Sequence, residues 1–296
     1  MPEGPKFERP EDRNWDGALP ITCYDLHTIA LYELPISPNW HNEMEIVHTK
    51  AELALYINDT CHEAAPGDVF FINPRQIHSA VRRGPGEVYA VVFDLNLLRM
   101  PDPGAPSNQL IDEILRQSKR FITKPERDSS LYRKTLELFE NIEEYSRKPI
   151  RYGAESYSLL SCLYGIMAVC LKTDSFAEIS DKSRGSMRYV MELIDYINEH
   201  YRESLTAETL SRQMNLSPTY LYSLFRTYLG VTPLNYINSV RLREAYGLLE
   251  EGRSVTETAS GVGIPNVSYF IKLFKSATGV TPFQWKSRKK QKTTQD

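Results

Sequence analysis

The C-terminal third of the chain repeats itself, and that repeat limits the fold more than any other feature. Gly230-Val231-Thr232-Pro233 returns 49 residues later as Gly279-Val280-Thr281-Pro282. The same offset pairs Tyr220 with Tyr269, Leu221 with Phe270, Leu224 with Leu273, Phe225 with Phe274, Arg226 with Lys275 and Tyr236 with Trp285. Self-similarity at such a spacing marks one supersecondary unit used twice.

The design of the unit is legible. In the first copy Thr206 caps a short helix over 207–214, Asn215-Leu216 turns the chain, and Ser217 caps a second helix with Pro218 at its first position. Leu221, Leu224 and Phe225 then form the inward stripe, leaving Tyr222, Ser223 and Arg226 outward. Gly230 stops the helix and Thr232-Pro233 begins the next. In the second copy Ser254-Val255-Thr256-Glu257 reads as a capping box, Gly263-Ile264-Pro265 as the turn and Asn266 as the cap. A long helix over 233–249 joins the copies. Two short helices on a tight turn, the second with a polar outer face, is the helix-turn-helix design, although generic helical hairpins share the pattern.

The first third reads differently. From Leu19 to Phe93 short apolar runs (45–48, 54–57, 69–72, 88–93) alternate with turn signals at Asn58-Asp59, Pro66-Gly67-Asp68 and Gly84-Pro85-Gly86. This predicts an antiparallel sandwich or barrel. After the break at Pro101–Pro106 the period turns helical. Residues 130–146 place Leu131, Thr135, Leu138, Phe139 and Ile142 on one face, and Ala154–Leu171 is strongly apolar. We expect this helix to pair with its copy in a homodimer; an Asp at Leu163 gives monomers if that side chain is at the interface and unfolds the chain if it is in the monomer core. Polar residues 172–186 read as a linker. Residues 1–16 read as loosely attached.

Charge follows the same division. The net charge of −3 hides an asymmetry: residues 188–296 hold 14 Lys+Arg against 10 Asp+Glu, and the rest of the chain 21 against 28. A mildly basic module on an acidic one suits a nucleic-acid contact by the former. No stretch of about 18 uninterrupted apolar residues occurs, so no membrane partner is expected. No apolar leader opens the chain, and Cys23, Cys61, Cys162 and Cys170 form no metal or disulfide spacing, so a reducing cytoplasm is expected.

Taken together, Asn215-Leu216-Ser217, Phe225-Arg226, Gly230–Pro233, Arg241-Leu242, Ser268-Tyr269-Phe270, Phe274-Lys275 and Gly279–Pro282 make the last 100 or so residues resemble the AraC/XylS family of bacterial transcription regulators. Departures from its pattern fall in the second copy, at Thr258, Ile264 and Lys286. The segments 40–46 and 66–78 are similar to the cupin-type sensor domain common in that family. The fold class implied is α+β: an N-terminal cupin-like β-barrel followed by helices, then a C-terminal all-α domain with two helix-turn-helix units. The division expected is a sensor over 1–107, a helical dimerisation segment over 108–171, a linker over 172–186 and a DNA-binding domain over 187–296.

The resemblance implies a regulator, not an enzyme, without cofactor, whose partners are double-stranded DNA, a small effector and RNA polymerase. Carried over position by position, the DNA-facing residues are Ser217, Thr219, Tyr222, Ser223 and Arg226 in the first copy and Asn266, Ser268, Lys272 and Lys275 in the second. The tail residues Lys286, Arg288, Lys289, Lys290 and Lys292 add phosphate affinity or stand as a solvated terminus. For the effector, Trp40, His41, Glu45, Tyr56, Arg75 and His78 supply aromatic faces and convergent polar groups, with Phe71 and Tyr89 as further aromatics, which suits a carbohydrate. On the metal-binding frame of enzymatic cupins, His41, Glu45 and His78 are competent ligands and Asn39 is not. A metal-dependent cupin enzyme with a helical appendage is therefore the alternative. Strand alternation forbids Trp40 and His41 from both pointing inward, and His41 is expected inside.

Overall fold

The apolar runs of the first third form strands because each is short, β-branched or aromatic, and bounded by turn residues. A computed structural model describes residues 19–25, 36–140, 145–146, 150, 152–179 and 181–286. Two compact units are present: residues 1–31 with 39–185, and residues 32–38 with 186–296.

In the first unit, β1 (Ile21–Asp25), β8 (Val88–Phe93), β3 (Met44–Thr49) and β6 (Val69–Ile72) form one sheet in that order, with every neighbour antiparallel. A second sheet contains β7 (His78–Arg82), β4 (Leu53–Ile57) and β5 (Thr60–Ala64), paired in that order, and Ile36–Asn39 forms a further strand, β2. In the first sheet Ile46 lies opposite Phe71 and Val91, and Val47 opposite Phe70 and Ala90. Since neighbours along a strand face opposite ways, the two sets enter two cores. Val47, Phe70, Ile72, Val88 and Ala90 meet Leu53, Leu55, Ile57 and Ala64 of the second sheet. Met44, Ile46, Phe71, Tyr89 and Val91 instead lie beneath the helices. The first sheet is thus buried on both faces, which is why 88–93 reads as continuous apolar sequence. Strand β5 escaped the sequence reading because it is a largely exposed edge. At the turn before β8, Gly86 has φ +130°, and a Cβ there would fall 2.2 Å from the Lys50 carbonyl oxygen, so only glycine fits.

Helices α1 (Pro106–Leu115), α2 (Ser130–Leu136) and α3 (Ala154–Thr173) cover this sheet. By length and composition α3 is apolar enough to cross a bilayer, but Leu159, Leu163, Ile166, Met167 and Cys170 are buried in the core of the first unit. Leu163 is 1% exposed, so of the two places open to it, the interface and the core of the unit, it takes the core. The exposed positions 157, 161, 164, 168 and 171 form a separate stripe. Ile142 lies outside the described residues.

The linker expected over 172–186 is corrected. Phe176–Glu178 (β10) pairs with Lys119–Phe121 (β9), and α4 (Asp181–His200) already runs through 181–186. The polar sequence reflects an exposed ribbon held by Phe176 against Phe121 at 5.1 Å between ring centroids.

The second unit is helical: α5 (Ala207–Gln213), α6 (Pro218–Leu224), α7 (Pro233–Glu250), α8 (Val255–Gly261) and α9 (Val267–Thr278) follow α4. Residues 225–229 widen into a π turn before Gly230, which has φ +67°. The caps are Thr206, Ser217, Thr232, Ser254 and Asn266, each accepting from a main-chain N–H. Thr206 and Ser254 are 48 residues apart, whereas Ser217 and Asn266 are 49 apart. The second turn therefore holds one extra residue. It is closed by Gly263, whose φ is +75° and whose Cβ would sit 2.6 Å from the Arg202 carbonyl oxygen. Arg241, in the middle of α7, is buried and donates to the carbonyls of Tyr201 (2.8 Å) and Glu203 (2.7 Å), which fastens α7 to the end of α4.

Candidate functional site

Two places in the molecule gather polar side chains on a prepared scaffold. The first is the pair of helices that end the repeats. Leu221, Leu224 and Phe225 are buried on α6 and the turn after it, as are Phe270 and Phe274 on α9. Helical periodicity therefore sends the other faces outward. Ser217, Thr219, Tyr222, Ser223, Arg226, Asn266, Ser268, Lys272 and Lys275 are all exposed. Ser217 Oγ and Asn266 Oδ1 are engaged as caps, accepting from the main-chain N–H of Tyr220 (3.2 Å) and of Tyr269 (3.0 Å). Among the described residues Arg226, Lys272 and Lys275 are held by no side-chain hydrogen bond or ion pair, so their charges remain available to an anion. Tyr220 and Tyr269, 39% and 44% exposed, stand at the same position of the two copies beside these faces. Sequence reasoning paired them but gave them no role, because an aromatic at helical spacing reads as core. Lys286 donates to the carbonyls of Gly252 (2.9 Å) and Arg253 (2.5 Å), closing a loop of its own unit. Arg288, Lys289, Lys290 and Lys292 lie outside the described residues.

The second place is inside the first unit. Glu45 is on β3, His78 opens β7, and His41 lies in the turn ahead of β3. Glu45 Oε2 is 3.0 Å from His41 Nε2 and 3.3 Å from His78 Nε2. The three residues are buried, and the two imidazoles meet edge-on at 5.0 Å. Burial pushes the Glu45 carboxyl up, but hydrogen bonds from His41 and His78 outweigh it and hold the group well below the usual carboxylate range. Each histidine is fixed from behind: His41 Nδ1 lies 3.0 Å from the Glu43 carbonyl oxygen and His78 Nδ1 3.0 Å from that of Gln76.

Trp40 and Arg75 flank the cluster. The Arg75 main-chain N–H donates to the His41 carbonyl (2.6 Å), and its guanidinium lies 5.8 Å from the Trp40 ring centroid. Arg75 holds φ +62°, a left-handed conformation that costs energy for a residue with a side chain. Trp40 Nε1, Arg75 Nε and Gln76 Nε2 are buried and have no hydrogen-bond partner among the described residues. Sequence reasoning missed Gln76 and Glu43, whose contributions are largely main-chain and leave no side-chain signature.

Tyr56 does not join this cluster. It lies opposite Ser79, while its neighbour Ile57 lies opposite His78, so alternation puts Tyr56 on the other face of its sheet. Phe71 and Tyr89 are likewise turned into the core under the helices.

A family model described as a helix-turn-helix domain matches residues 210–288, which span both copies of the repeat. The HTH-type transcriptional regulator YdeC of Bacillus subtilis is 24% identical over 277 residues, covering 90% of this chain and 92% of that one. The Msm operon regulatory protein of Streptococcus mutans is 24% identical, covering 68% and 75%. The HTH-type transcriptional activator RhaR of an Enterobacter species is 23% identical, covering 78% and 80%. The matched segment is a helix-turn-helix domain of the AraC type, and these relatives are named as regulators of transcription or of an operon. Among solved structures, the chain is similar to ToxT of Vibrio cholerae, at 15% identity and a TM-score of 0.46 over 91% of its length and 98% of ToxT. It is a DNA-binding regulator, and the exposed faces of α6 and α9 lie within its matched domain. The enzyme alternative is not favoured, since YdeC, the Msm protein and RhaR, each matched over three quarters or more of its length, are named as regulators. The departures from the family pattern are absorbed locally: Ile264 is buried, Lys286 closes a loop, and Thr258 is buried with its hydroxyl unpartnered.

Proposed function

We propose that this chain is an AraC-family regulator that reads DNA through two helix-turn-helix units, α5–α6 and α8–α9, and senses a small polar effector in a cupin-type first unit. The observation that carries the reading is the repeat itself: both copies present a polar, cationic face on the second helix after a tight, capped turn. Thr219, Tyr222 and Ser223 from α6, and Ser268 and Lys272 from α9, contact base edges, with Thr219 and Tyr222 suited to thymine methyls. Arg226, Lys275 and the helix starts at Ser217 and Asn266 contact phosphates and set the register. The two helices enter successive major-groove segments, about 10 bp apart on one face of B-DNA.

The effector is a carbohydrate in this reading, held by His41, Glu45, Arg75 and His78 beside Trp40. The exposed stripe of α3 pairs with a second copy to make the homodimer. RNA polymerase is the further partner, and the cytoplasm the place of action. Effector binding acts by favouring one arrangement of the assembly over another.

The test is a sequence-selection experiment on the full chain. Lys272→Ala should lose roughly 1–3 kcal/mol and relax the preference at one base, whereas Arg226→Ala should weaken all sequences alike. Affinity should fall steeply from low to moderate salt. Identical selection profiles for the two variants would break the division of roles, and salt-independent affinity would remove the phosphate contacts.

A further inference from the structure

The corner that joins residues 40–41 to 73–76 collects hydrogen-bond donors with nothing to donate to. Its orientation is settled from the main chain outward. The Phe121 N–H can only donate, and it meets Asn73 Oδ1 at 2.7 Å, so Asn73 Nδ2 is the atom that donates to the Phe121 carbonyl at 3.1 Å. That Nδ2 and the Asn73 main-chain N–H both donate to one side-chain atom of Gln76, at 3.2 and 2.7 Å, which must therefore be Oε1. Gln76 Nε2, at the other end of the amide, is buried and has no acceptor among the described residues. Trp40 Nε1 and Arg75 Nε are in the same state. Arg75 forms no ion pair among the described residues. The acidic groups of this segment face histidines instead: Glu43 Oε2 lies 3.5 Å from His41 Nδ1, and Glu45 Oε2 lies 3.0 and 3.3 Å from His41 Nε2 and His78 Nε2.

A wall of donors suits a partner that only accepts. A sugar hydroxyl both donates and accepts, so such a wall uses half of its capacity. A carboxylate only accepts, and it takes a guanidinium side-on through two parallel bonds, one of them from Nε. Arg75 is prepared for that role. Its main-chain N–H is fixed to the His41 carbonyl at 2.6 Å, its guanidinium lies 5.8 Å from the Trp40 ring centroid, and its backbone is held at φ +62°. Strain of this kind costs stability and persists where the surrounding structure over-determines it, as at ligand clamps. We propose that the effector carries a carboxylate group, bound side-on by Arg75, with Trp40 Nε1 and Gln76 Nε2 as further donors. Within the carbohydrate reading the effector is then a sugar acid, a uronate or an aldonate, in place of a neutral sugar.

This assignment rests on reading the corner as part of the sensor site, and the experiment separates the two. Full-length protein is screened by thermal shift and calorimetry with D-glucuronate, D-galacturonate, D-gluconate and succinate, with D-glucose and D-galactose as neutral counterparts and inorganic phosphate as a second anion. At least one carboxylate should raise the melting temperature of the parent, and neither neutral sugar nor phosphate should. Arg75→Lys, which keeps the charge and loses the fork, should weaken carboxylate binding by on the order of 10- to 100-fold. Gln76→Glu keeps the oxygen that Asn73 bonds and turns an oxygen outward in place of the NH2, so carboxylate binding should be lost. Arg75→Asn, which adopts a left-handed backbone with less strain, should lose binding while its ligand-free form melts at or above the parent. An arginine with only a structural role would lower that melting temperature. His62→Ala, outside the corner, should bind as the parent does. Circular dichroism keeps the comparison to folded variants, and Arg75→Lys carries the test if Gln76→Glu unfolds. A parent that binds no carboxylate of the panel, or Arg75 variants that bind as the parent does, overturns the carboxylate. If a neutral sugar binds the parent and not His41→Ala, the sensor reading stands without it. If a carboxylate binds yet leaves operator affinity unchanged, the carboxylate stands and the sensor reading falls.

Discussion

At the scale of single residues, local conflicts point to measurable consequences. Thr258 is fully buried on α8 with its hydroxyl unpartnered, at a position where a branched apolar residue would fill the same space. Thr258→Val should therefore raise stability by about 1 kcal/mol, read as a higher urea midpoint with an unchanged slope. A loss of stability would mean that the hydroxyl has a partner when folded. Asp68 is the opposite case, buried and fully paired. Burial pushes its carboxyl up, but hydrogen bonds from Lys124 (2.7 Å), the Ala65 N–H (2.9 Å) and Arg127 (3.0 Å) outweigh it and hold the group below its ordinary range. A carboxylate with a depressed folded pKa stabilises above its unfolded value, near 3.9, and loses that contribution as pH falls through the folded value. Asp68→Asn should cost about 1–3 kcal/mol at pH 7, discounted because Lys124 and Arg127 are partly exposed, and should flatten the decline below pH 4. Parallel acid-unfolding curves for parent and variant would contradict this.

At the scale of elements, α3 carries two faces with different jobs. Leu159, Leu163, Ile166, Met167 and Cys170 are buried in the core of the first unit. Tyr157, Ser161, Tyr164, Ala168 and Leu171 are exposed at alternating steps of four and three, the spacing of a helix–helix seam. Leu163→Asp should unfold the unit, because it buries an unpaired charge. Ala168→Asp and Leu171→Glu should leave circular dichroism unchanged and convert a dimer to monomers in light scattering. A parent that is monomeric at micromolar concentration would remove the seam. The repeat teaches a related lesson. The 49-residue offset seen in sequence holds for the second helix of each copy, but the first helices are 48 apart, because the second turn has one more residue and spends it on Gly263. Matching of apolar residues locates helices; turn chemistry decides their relative register.

At the scale of the molecule, two units with separate cores should unfold as two separable transitions. Arg241 belongs to the second. Removing it leaves the carbonyls of Tyr201 and Glu203 without their charged donor. Arg241→Ala should thus lower the second unit's transition by roughly 3 kcal/mol and leave the transition that Asp68→Asn moves in place. Coincident shifts of both transitions would show that the units unfold together. The sequence by itself determined what is local: the strand runs of the first unit, the helices and caps of the second, and the outward faces of α6 and α9. Those depend on period, turn residues and capping, all encoded within a few neighbours. What only the tertiary structure decided depends on partners far along the chain. It placed Leu163 in a core, turned 176–178 from linker into ribbon, and put Tyr56 on the wrong side of its sheet for the pocket. It also brought His41 Nε2 and His78 Nε2 to 3.0 and 3.3 Å from Glu45 Oε2, with each histidine's Nδ1 beside a main-chain carbonyl oxygen. The side-chain pattern named those three residues, but which atoms face one another is set by strand register and main-chain hydrogen bonds, and neither is written in residue types.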